Sequence, residues 1–314
     1  MIEQLLALLA VMSLSAAPRP IVSPLIVYGQ QVPIQPTLLT VASADYNNPK
    51  HLLPPHKKNS ADLGVVISAN SAFVADVASG GVLFTKNPHN VQAIASLTKL
   101  MTALKIVQMP NGLDGDITLV ADDFSRESTP VFMIGDTLDK RTALKAMLTG
   151  SVNELANAFA RTTGLSRKEF VEAMNKEAQD RNLVSFSFTD PTGLDAGNKG
   201  SAADVAALIT IVLGQRDIRQ AMNLPNVTVK TKIGRTIKIA STNLLLTSFL
   251  NSPPYQIIGA KTGSLPEAGY CLAQVTRNAD GHEVVAVILG SDNHFSRYKD
   301  VKALTAWAFD AYAW

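Results

Sequence analysis

The stretch "AIASLTKLMTAL", residues 93–104, decides how the rest of the chain is interpreted. Its apolar spacing is typical of a buried helix, yet Ser96 and Lys99 lie within it, three positions apart. On a helix these two side chains share one face, about 5 to 6 Å apart. A hydroxyl beside an amine suits a hydrophobic core poorly and suits nucleophilic chemistry well. The stretch therefore predicts a helix that carries reactive side chains.

The Ser-x-x-Lys pattern is weak evidence by itself. A second copy runs from Ser296 to Lys299, and Ser-x-Asn recurs at several serines, among them Ser151 and Ser291. Lys-Thr-Gly occurs once, at residues 261–263, where about 0.07 copies are expected by chance. The third motif is therefore the most specific of the three.

The order of the motifs separates a plausible site from the chance copies. Ser96 opens a helix, the Ser151 motif begins a later helical region, and Lys261 ends a predicted strand. Catalysis needs such an arrangement, because the nucleophile must sit on a rigid element while its partners arrive from other elements. Ser296 starts the last predicted helix and Ser291 precedes it in a predicted loop, so both are predicted to be helix caps.

Strand patterns occur near both ends of the predicted domain. Residues 71–87 and 227–240 alternate apolar and polar residues around turn signals, which predicts two hairpins. The sequence therefore predicts a mixed α/β domain, in which an antiparallel sheet flanked by helices pairs its first hairpin beside its last strands. A mostly helical lobe is expected at about residues 105–225. Three further strands are predicted at residues 255–263, 269–277 and 282–290.

Helical periodicity fills the middle of the chain and returns at its end. Ser166 and Glu169 predict a capping box, and Ser201 is a second candidate cap. Helices are predicted at residues 141–150, 153–164, 166–182 and 201–214, and a final amphipathic helix places Val301, Leu304, Ala308 and Tyr312 on one face.

Composition excludes several classes of protein. The chain has 314 residues, 46% of them hydrophobic, and a net charge of +2 without a basic stripe, so nucleic acid is not an expected partner. Cys271 is the only cysteine, which excludes an internal disulfide. The five histidines are scattered without ligand spacing, so no metal site and no other cofactor is predicted.

The amino terminus differs from the rest of the chain. Residues 1–17 are signal-peptide-like, with an apolar run from Leu5 to Ala17, although Glu3 stands where a positive charge is usual. Residues 18–62 are proline-rich and predict an extended linker before a domain at 63–314. We expect export to the periplasmic or cell-wall side. Cleavage, or retention as a membrane anchor, is left open.

The three motifs, in this order, resemble those of the penicillin-recognising serine D,D-peptidases. The flanking segments at residues 188–208 ("FTDPTGLDAGNKGSAADVAAL"), 241–246 ("STNLLL") and 257–273 ("IIGAKTGSLPEAGYCLA") resemble the low-molecular-weight D-alanyl-D-alanine carboxypeptidases. The resemblance covers residues 71–314 and implies a β-lactamase/transpeptidase-like fold. It also implies peptidoglycan muropeptides and β-lactams as partners, while the oligomeric state stays open.

The resemblance implies that Ser96 attacks the carbonyl of the penultimate D-alanine and that Lys99 takes the proton of its hydroxyl. An ordinary lysine has a pKa near 10.4 and cannot be a base at neutral pH. Burial and the second cation, Lys261, are both expected to lower the pKa of Lys99. A shift of about three units corresponds to roughly 4 kcal/mol, which these two effects together could supply.

The remaining roles also follow from the resemblance. Ser151 would relay a proton to the leaving amine, and Asn153 would orient Lys99 and the substrate amide. Lys261 and Thr262 would hold the terminal carboxylate. Without these roles, Ser151 would be a plain helix N-cap and Thr262 a plain strand end. Gly263 would leave room for the substrate strand, and the backbone N–H groups of Ser96 and Ser264 would form the oxyanion hole.

Two departures from the family pattern are visible. Val152 stands where glycine is common and is expected to narrow the groove, and Glu154 stands where aspartate is frequent. Trp314 closely follows the last predicted helix, which favours comparison with the shorter endopeptidase members and keeps cross-link cleavage open as an activity. A β-lactamase or a non-catalytic wall-binding protein would share the same fold. A β-lactamase would need a glutamate motif for deacylation, and none is recognisable in this sequence.

Overall fold

The computed structural model describes residues 53–314, and the central feature of this part is an antiparallel sheet. The predicted signal-peptide-like segment, residues 1–17, lies outside the described residues, as does the predicted linker up to residue 52. In chain order the strands are β1 His56–Lys57, β2 Ser71–Asp76, β3 Val82–Lys86, β4 Gln92–Ala93, β5 Asp116–Thr118, β6 Thr137–Asp139, β7 Lys199–Gly200, β8 Asn226–Lys230, β9 Thr236–Ala240, β10 Gln256–Leu265, β11 Gly269–Arg277, β12 Glu283–Ser291 and β13 Tyr312–Ala313.

Helices cover the sheet and build the lobe beside it. The capping box at Ser166 and Glu169 is confirmed, since each residue's side chain accepts a hydrogen bond from the backbone N–H of the other. The hydroxyl of Ser201 likewise accepts from the N–H of Asp204, at 3.2 Å. The helices are α1 Lys99–Gln108, α2 Lys140–Gly150, α3 Asn153–Arg161, α4 Arg167–Asp180, α5 Ala202–Leu213, α6 Arg216–Met222 and α7 Ser296–Ala311.

The sheet that carries the site has the strand order β10-β11-β12-β2-β3, with every neighbouring pair antiparallel. Val287 of β12 lies opposite Phe73 of β2. This pairing confirms the prediction that the first hairpin lies beside the last strands. β10 is an edge strand, so one of its sides is not paired within this sheet.

The inner strands are buried on both faces because helices pack on both sides of the sheet. On β2, Ala72 and Val74 belong to a core shared with α7, while Phe73 and Ala75 belong to a core shared with α1 and α5. The apolar residues of these strands therefore follow one another without the alternation that a half-exposed sheet would show.

Most of the apolar face predicted for the carboxyl-terminal helix is confirmed. Val301, Leu304 and Ala308 are fully buried. Tyr312 lies beyond the helix, in β13, yet it is also buried and donates a hydrogen bond to the carbonyl of Leu83 at 2.7 Å. None of the helices in residues 53–314 has the length and apolar character that crossing a bilayer requires.

The folded part begins before residue 63, the boundary predicted from proline content. His56 and Lys57 pair with Ala313 and Tyr312 to form a two-stranded ribbon. Further along, the indole N–H of Trp307 donates to Asp62 at 2.8 Å. The last part of the predicted linker therefore belongs to the domain, because pairing with the chain's end satisfies its backbone groups.

Neither chance copy of the motifs is a helix cap, contrary to prediction. Ser291 is the last residue of β12, and its hydroxyl donates to Asp300 at 2.8 Å. Ser296 is the first residue of α7, and its backbone N–H donates to the side chain of Asn293 at 3.0 Å. The amide oxygen of Asn293 therefore satisfies the start of this helix.

Candidate active site

The turn that carries Ser96 is a short 3-10 helix, Ala95–Thr98, which leads directly into α1. Two bonds fix it: the N–H of Ile94 donates to the carbonyl of Asn198 at 3.0 Å, and Thr98 Oγ1 donates to the carbonyl of Ala95 at 2.8 Å. Ala95 has a left-handed backbone conformation, with φ +49°. Ser96 remains half-buried while its neighbours are fully buried, so its hydroxyl is held rigidly at the surface of the core.

Lys99 is fully buried beneath Ser96, and its amine has three polar neighbours. Nζ lies 3.0 Å from Ser96 Oγ, 2.7 Å from Asn153 Oδ1 and 2.6 Å from the carbonyl oxygen of Thr192. The last two atoms can only accept, whereas a hydroxyl can donate. Nζ can donate to all three oxygens, and once it has lost its proton it can accept one from the Ser96 hydroxyl.

Burial is the largest influence on Lys99 and lowers its pKa to about 7. The carboxylates of Asp190 and Glu154 act in the opposite direction. The sequence predicts Lys261 as a second cause of this lowered pKa. In the structure it is the pKa of Lys261 that is lowered by repulsion between the two amines. Burial is the largest cause of this lowering, and the charges of Lys99 and then of Arg297 add to the effect. The pKa of Lys99 is therefore lowered, as predicted, and burial is the cause.

Ser151 ends α2 in a left-handed conformation, with φ +60°, and α3 begins two residues later at Asn153. Ser151 is therefore not a plain helix N-cap. The sharp turn aims its hydroxyl at Lys261, whose Nζ lies 2.7 Å away and also donates to the carbonyl of Thr262 at 2.9 Å. Ser151 and Lys261 thus form a second hydroxyl–amine pair.

Val152 does not narrow the groove, contrary to expectation. Its side chain is 3% exposed and belongs to the hydrophobic core of the helical lobe. The left-handed turn at Ser151 directs the Val152 side chain toward that core. Valine, although larger than the glycine common at this position, therefore packs in the core and does not project into the groove.

β10 places the Lys-Thr-Gly residues against the Ser96 turn. A Cβ atom on Gly263 would lie 2.8 Å from the carbonyl oxygen of Ile94 and 3.3 Å from the backbone nitrogen of Ser96. Glycine is thus needed for the strand to approach the nucleophile, a reason that differs from the predicted space for substrate. Thr262 Oγ1 donates to Thr242 Oγ1 at 2.6 Å, and Ser264, two residues further along β10, is exposed.

Among the eight predicted site residues, Lys99 is hydrogen-bonded to Ser96 and Asn153, and Lys261 is hydrogen-bonded to Ser151. Gly263 of β10 packs against the backbone of Ser96. No group of histidine, cysteine, aspartate and glutamate side chains within residues 53–314 is arranged to hold a metal ion.

The sequence pattern of the D-alanyl-D-alanine carboxypeptidase family matches residues 56–293. A D-alanyl-D-alanine endopeptidase of Pseudomonas aeruginosa is 30% identical over 86% of this chain and 84% of its own length. A D-alanyl-D-alanine carboxypeptidase of Bacillus subtilis is 28% identical over 78% of this chain and 63% of its own length. The chain belongs to the D-alanyl-D-alanine carboxypeptidase family.

Solved structures agree with this family assignment. A mutant of the Streptomyces K15 DD-transpeptidase has a TM-score of 0.72 and 25% identity, covering 78% of this chain and 99% of its own. The ampicillin-bound Penicillin-Binding Protein D2 from Listeria monocytogenes has a TM-score of 0.68 and 27% identity, covering 79% and 100%. This chain is accordingly a serine peptidase, a hydrolase with the penicillin-binding fold.

Sequence reasoning missed one cation of this peptidase, Arg297. Its side chain is buried, and the guanidinium donates to the carbonyl of Gly263 at 3.1 Å and to the hydroxyl of Tyr298 at 2.9 Å. Its Nε is buried without a hydrogen-bond partner among the described residues. The helical period could have predicted that Arg297 is buried, because Arg297 lies four positions before Val301 and shares the buried face of α7.

The loop at residues 188–198 contains none of the predicted site residues, yet it positions the general-base candidate. Asp190 accepts hydrogen bonds from the N–H groups of Gly193 and Asp195, at 2.8 and 2.9 Å, and from the Asn198 side chain at 2.7 Å. Although burial raises the pKa of Asp190, these and its other hydrogen bonds outweigh that effect and lower it. The folded loop presents the carbonyl of Thr192 to Lys99.

Proposed function

We propose that this protein is a serine D-alanyl-D-alanine carboxypeptidase that acts on peptidoglycan stem peptides through an acyl-enzyme and binds β-lactams in the same way. The observation that carries the proposal is the Lys99 amine, fully buried and 3.0 Å from Ser96 Oγ. An amine with a pKa of about 7 is partly unprotonated at neutral pH and can act as a general base.

In the acylation step, the hydroxyl proton of Ser96 moves to Lys99 Nζ as Oγ bonds to the carbonyl carbon of the penultimate D-alanine. The backbone N–H groups of Ser96 and Ser264 stabilise the oxygen that becomes negative. Ser151, bonded to Lys261, then donates a proton to the leaving nitrogen. The carbon–nitrogen bond breaks, terminal D-alanine leaves, and water later hydrolyses the ester.

Three groups form the proposed site for the substrate's terminal carboxylate. Lys261 and Thr262 supply an amine and a hydroxyl at the edge of β10, and Arg297 supplies positive charge from α7. Asn153 holds Lys99 and has an amide group that can also meet the substrate's backbone. This arrangement would select peptides that end in a free carboxylate.

The first test is incubation with a fluorescent penicillin. We expect one stable covalent adduct on wild type and none on Ser96→Ala. Rapid turnover without accumulation would indicate a β-lactamase instead. Absence of any adduct on a folded protein would contradict the proposal and indicate a wall-binding role.

A D,D-endopeptidase is the second candidate, because relatives named D-alanyl-D-alanine endopeptidases from three bacteria match 77% or more of their own length. Release of D-alanine from a pentapeptide, compared with cleavage of a cross-linked dimer, separates the two activities. Either substrate requires that the site face the periplasm or the cell wall, which fits the export proposed from residues 1–17. Fractionation of cells that express the full chain would test the location.

A further inference from the structure

A groove between α2, α6 and the first half of β10 concentrates positive charge that the mechanism does not use. α6 packs against both α2 and β10, and the groove beside it has a volume of about 670 Å³, a size typical of ligand sites. Lys145 of α2, Arg219 of α6 and Arg277 of β11 line this basic groove together with three side-chain amides. None of the described residues that line it carries a carboxylate.

Two of the three cations are available to a ligand. Lys145 is half-buried and Arg219 is exposed, and neither makes an ion pair or a side-chain hydrogen bond within residues 53–314. The charge of Lys145 acts on Asp139, but that carboxylate caps the start of α2 instead. Arg277 pairs with Glu283. Cations that gather around one groove without their own counter-ions attract an anion.

The basic groove lies on one particular side of the reacting groups. Along β10, Ile258 lies at the groove, Lys261 at the proposed carboxylate site, and Gly263 against the nucleophile. Strand spacing places Ile258 about 10 Å from Lys261. Similarly, Lys145 lies about 9 Å along α2 from Ser151, which is bonded to Lys261. The groove is therefore on the leaving-group side of the scissile bond, and a substrate that ends at the terminal D-alanine stops short of it.

We propose that the basic groove is a second binding site, which takes the free carboxylates of a peptide leaving group that continues past Lys261. The inference rests on the proposed function, because that function fixes where the terminal carboxylate lies. Lysine and arginine bind carboxylates through charge-assisted hydrogen bonds, and the amides of the groove can meet peptide groups.

A cross-linked dimer has such a leaving group, because its second stem peptide stays attached to the leaving nitrogen. A pentapeptide releases only D-alanine. The basic groove thus adds binding energy for cross-linked substrates and leaves the acylation step itself unchanged.

Hydrolysis of these two substrates tests the inference. In Lys145→Gln/Arg219→Gln we expect kcat/KM for a dimer with free carboxylates on its second stem to fall about tenfold, mainly through KM, because two exposed charge contacts are lost. Release of D-alanine from the pentapeptide and acylation by fluorescent penicillin should be unchanged, since neither substrate reaches the groove.

Two controls separate a local contact from an effect of net charge. Lys168→Gln/Lys176→Gln removes the same charge from exposed positions of α4 and should leave both substrates unaffected. In the second control, the carboxylates of the second stem are amidated, except the one beside the scissile bond. This dimer should lose about tenfold with wild type and nothing further with the groove variant. Such non-additivity would assign the loss to contact between these carboxylates and the groove.

Equal kcat/KM values of wild type and the groove variant on the dimer would overturn the inference. An equal loss on the pentapeptide, or the same loss in the α4 variant, would also overturn it. A wild-type enzyme that releases D-alanine from the pentapeptide but leaves the dimer intact contradicts this inference alone. If wild type forms no penicillin adduct and cleaves neither peptide, the proposed function fails and the inference fails with it.

Discussion

At residue 99 a lysine is buried where a helix of this apolar character would ordinarily bury a leucine. Desolvation of its amine disfavours the charged form, and the Ser96 hydroxyl lies within hydrogen-bond distance of that amine. The residue would be a defect in a purely structural helix. Its neighbours at Ser96 and Asn153 make it the candidate base of an acyl-transfer site.

Gly263 provides a residue-scale test of how closely β10 must approach the nucleophile. In Gly263→Ala the added methyl group would press on Ile94 and the backbone of Ser96. Displacement of a nucleophile by even 1 Å can cost about a hundredfold in rate, so we expect acylation by penicillin to fall by about that factor. Stopped-flow fluorescence measures the rate.

Gly214→Ala is the matched control for that experiment. Gly214 caps α5 with ordinary helical backbone angles, and an added Cβ meets only the carbonyl of Ile211, at 3.1 Å. Its acylation rate should equal that of wild type. A wild-type acylation rate in Gly263→Ala would show that β10 can move to make room for a methyl group. It would contradict the claim that glycine is needed at this position.

Arg297 should matter for substrates with a free terminal carboxylate. Arg297→Gln removes the positive charge beside Gly263, and we expect KM to rise about tenfold for a peptide that ends in D-alanyl-D-alanine. The same peptide with an amidated end should be affected little. Arg277→Gln, at an exposed arginine of the same sheet, is the control. Equal losses on both peptides would indicate that Arg297 only supports the fold.

At the scale of elements, Glu177 on α4 links that helix to α1. Its carboxylate accepts from Lys105 at 3.0 Å, from Gln108 at 2.8 Å and from Arg181 at 2.6 Å. Burial acts to raise the pKa of Glu177, but these hydrogen bonds outweigh it and lower the pKa to about 2.

A lowered pKa makes this link dependent on pH in a defined direction. The stabilisation from Glu177 is complete above the unfolded-state pKa of about 4.5 and is lost as the pH falls toward 2. The free energy of unfolding of wild type should therefore exceed that of Glu177→Gln at pH 6, and the difference should shrink between pH 4.5 and 2. Urea unfolding at several pH values measures it.

Glu172→Gln is the control on the same helix. Glu172 forms an exposed pair with Lys168 at 3.7 Å, which contributes little to stability. This variant should differ little from wild type at every pH. A constant difference between wild type and Glu177→Gln across the range would mean that the Glu177 carboxylate is not preferentially ionised in the folded state.

At the scale of the whole molecule, local patterns predicted the elements well because periodicity and caps are local properties. The hairpin at residues 71–87 and the helix at 201–214 are examples. The pairing of β12 with β2 was also predicted, because strands occur at both ends of the domain. Neither periodicity nor a cap indicates the left-handed turn at Ser151, which directs the Val152 side chain into the core. The expectation for Val152 was therefore wrong.

The missed parts of the site depend on contacts between distant segments. Arg297 reaches Gly263 only once α7 packs against the sheet. Asp190 shapes its loop through bonds that no single motif signals. The start of the folded domain was misplaced for a similar reason, since His56 finds its partner only at Ala313. Predictions held where the sequence itself carried the constraint and failed where tertiary packing supplied it.

The proposed mechanism depends on a Lys99 amine that loses its proton near neutral pH, well below the ordinary range of a lysine. The most direct measurement is a titration of the lysine Nζ signals by NMR in ¹⁵N-lysine-labelled protein, with the Lys99 signal assigned from its absence in Lys99→Arg. We predict that this signal titrates with a midpoint near 7. A midpoint near 10.4, the ordinary value for a lysine, would contradict the claim and remove the base from the proposed mechanism.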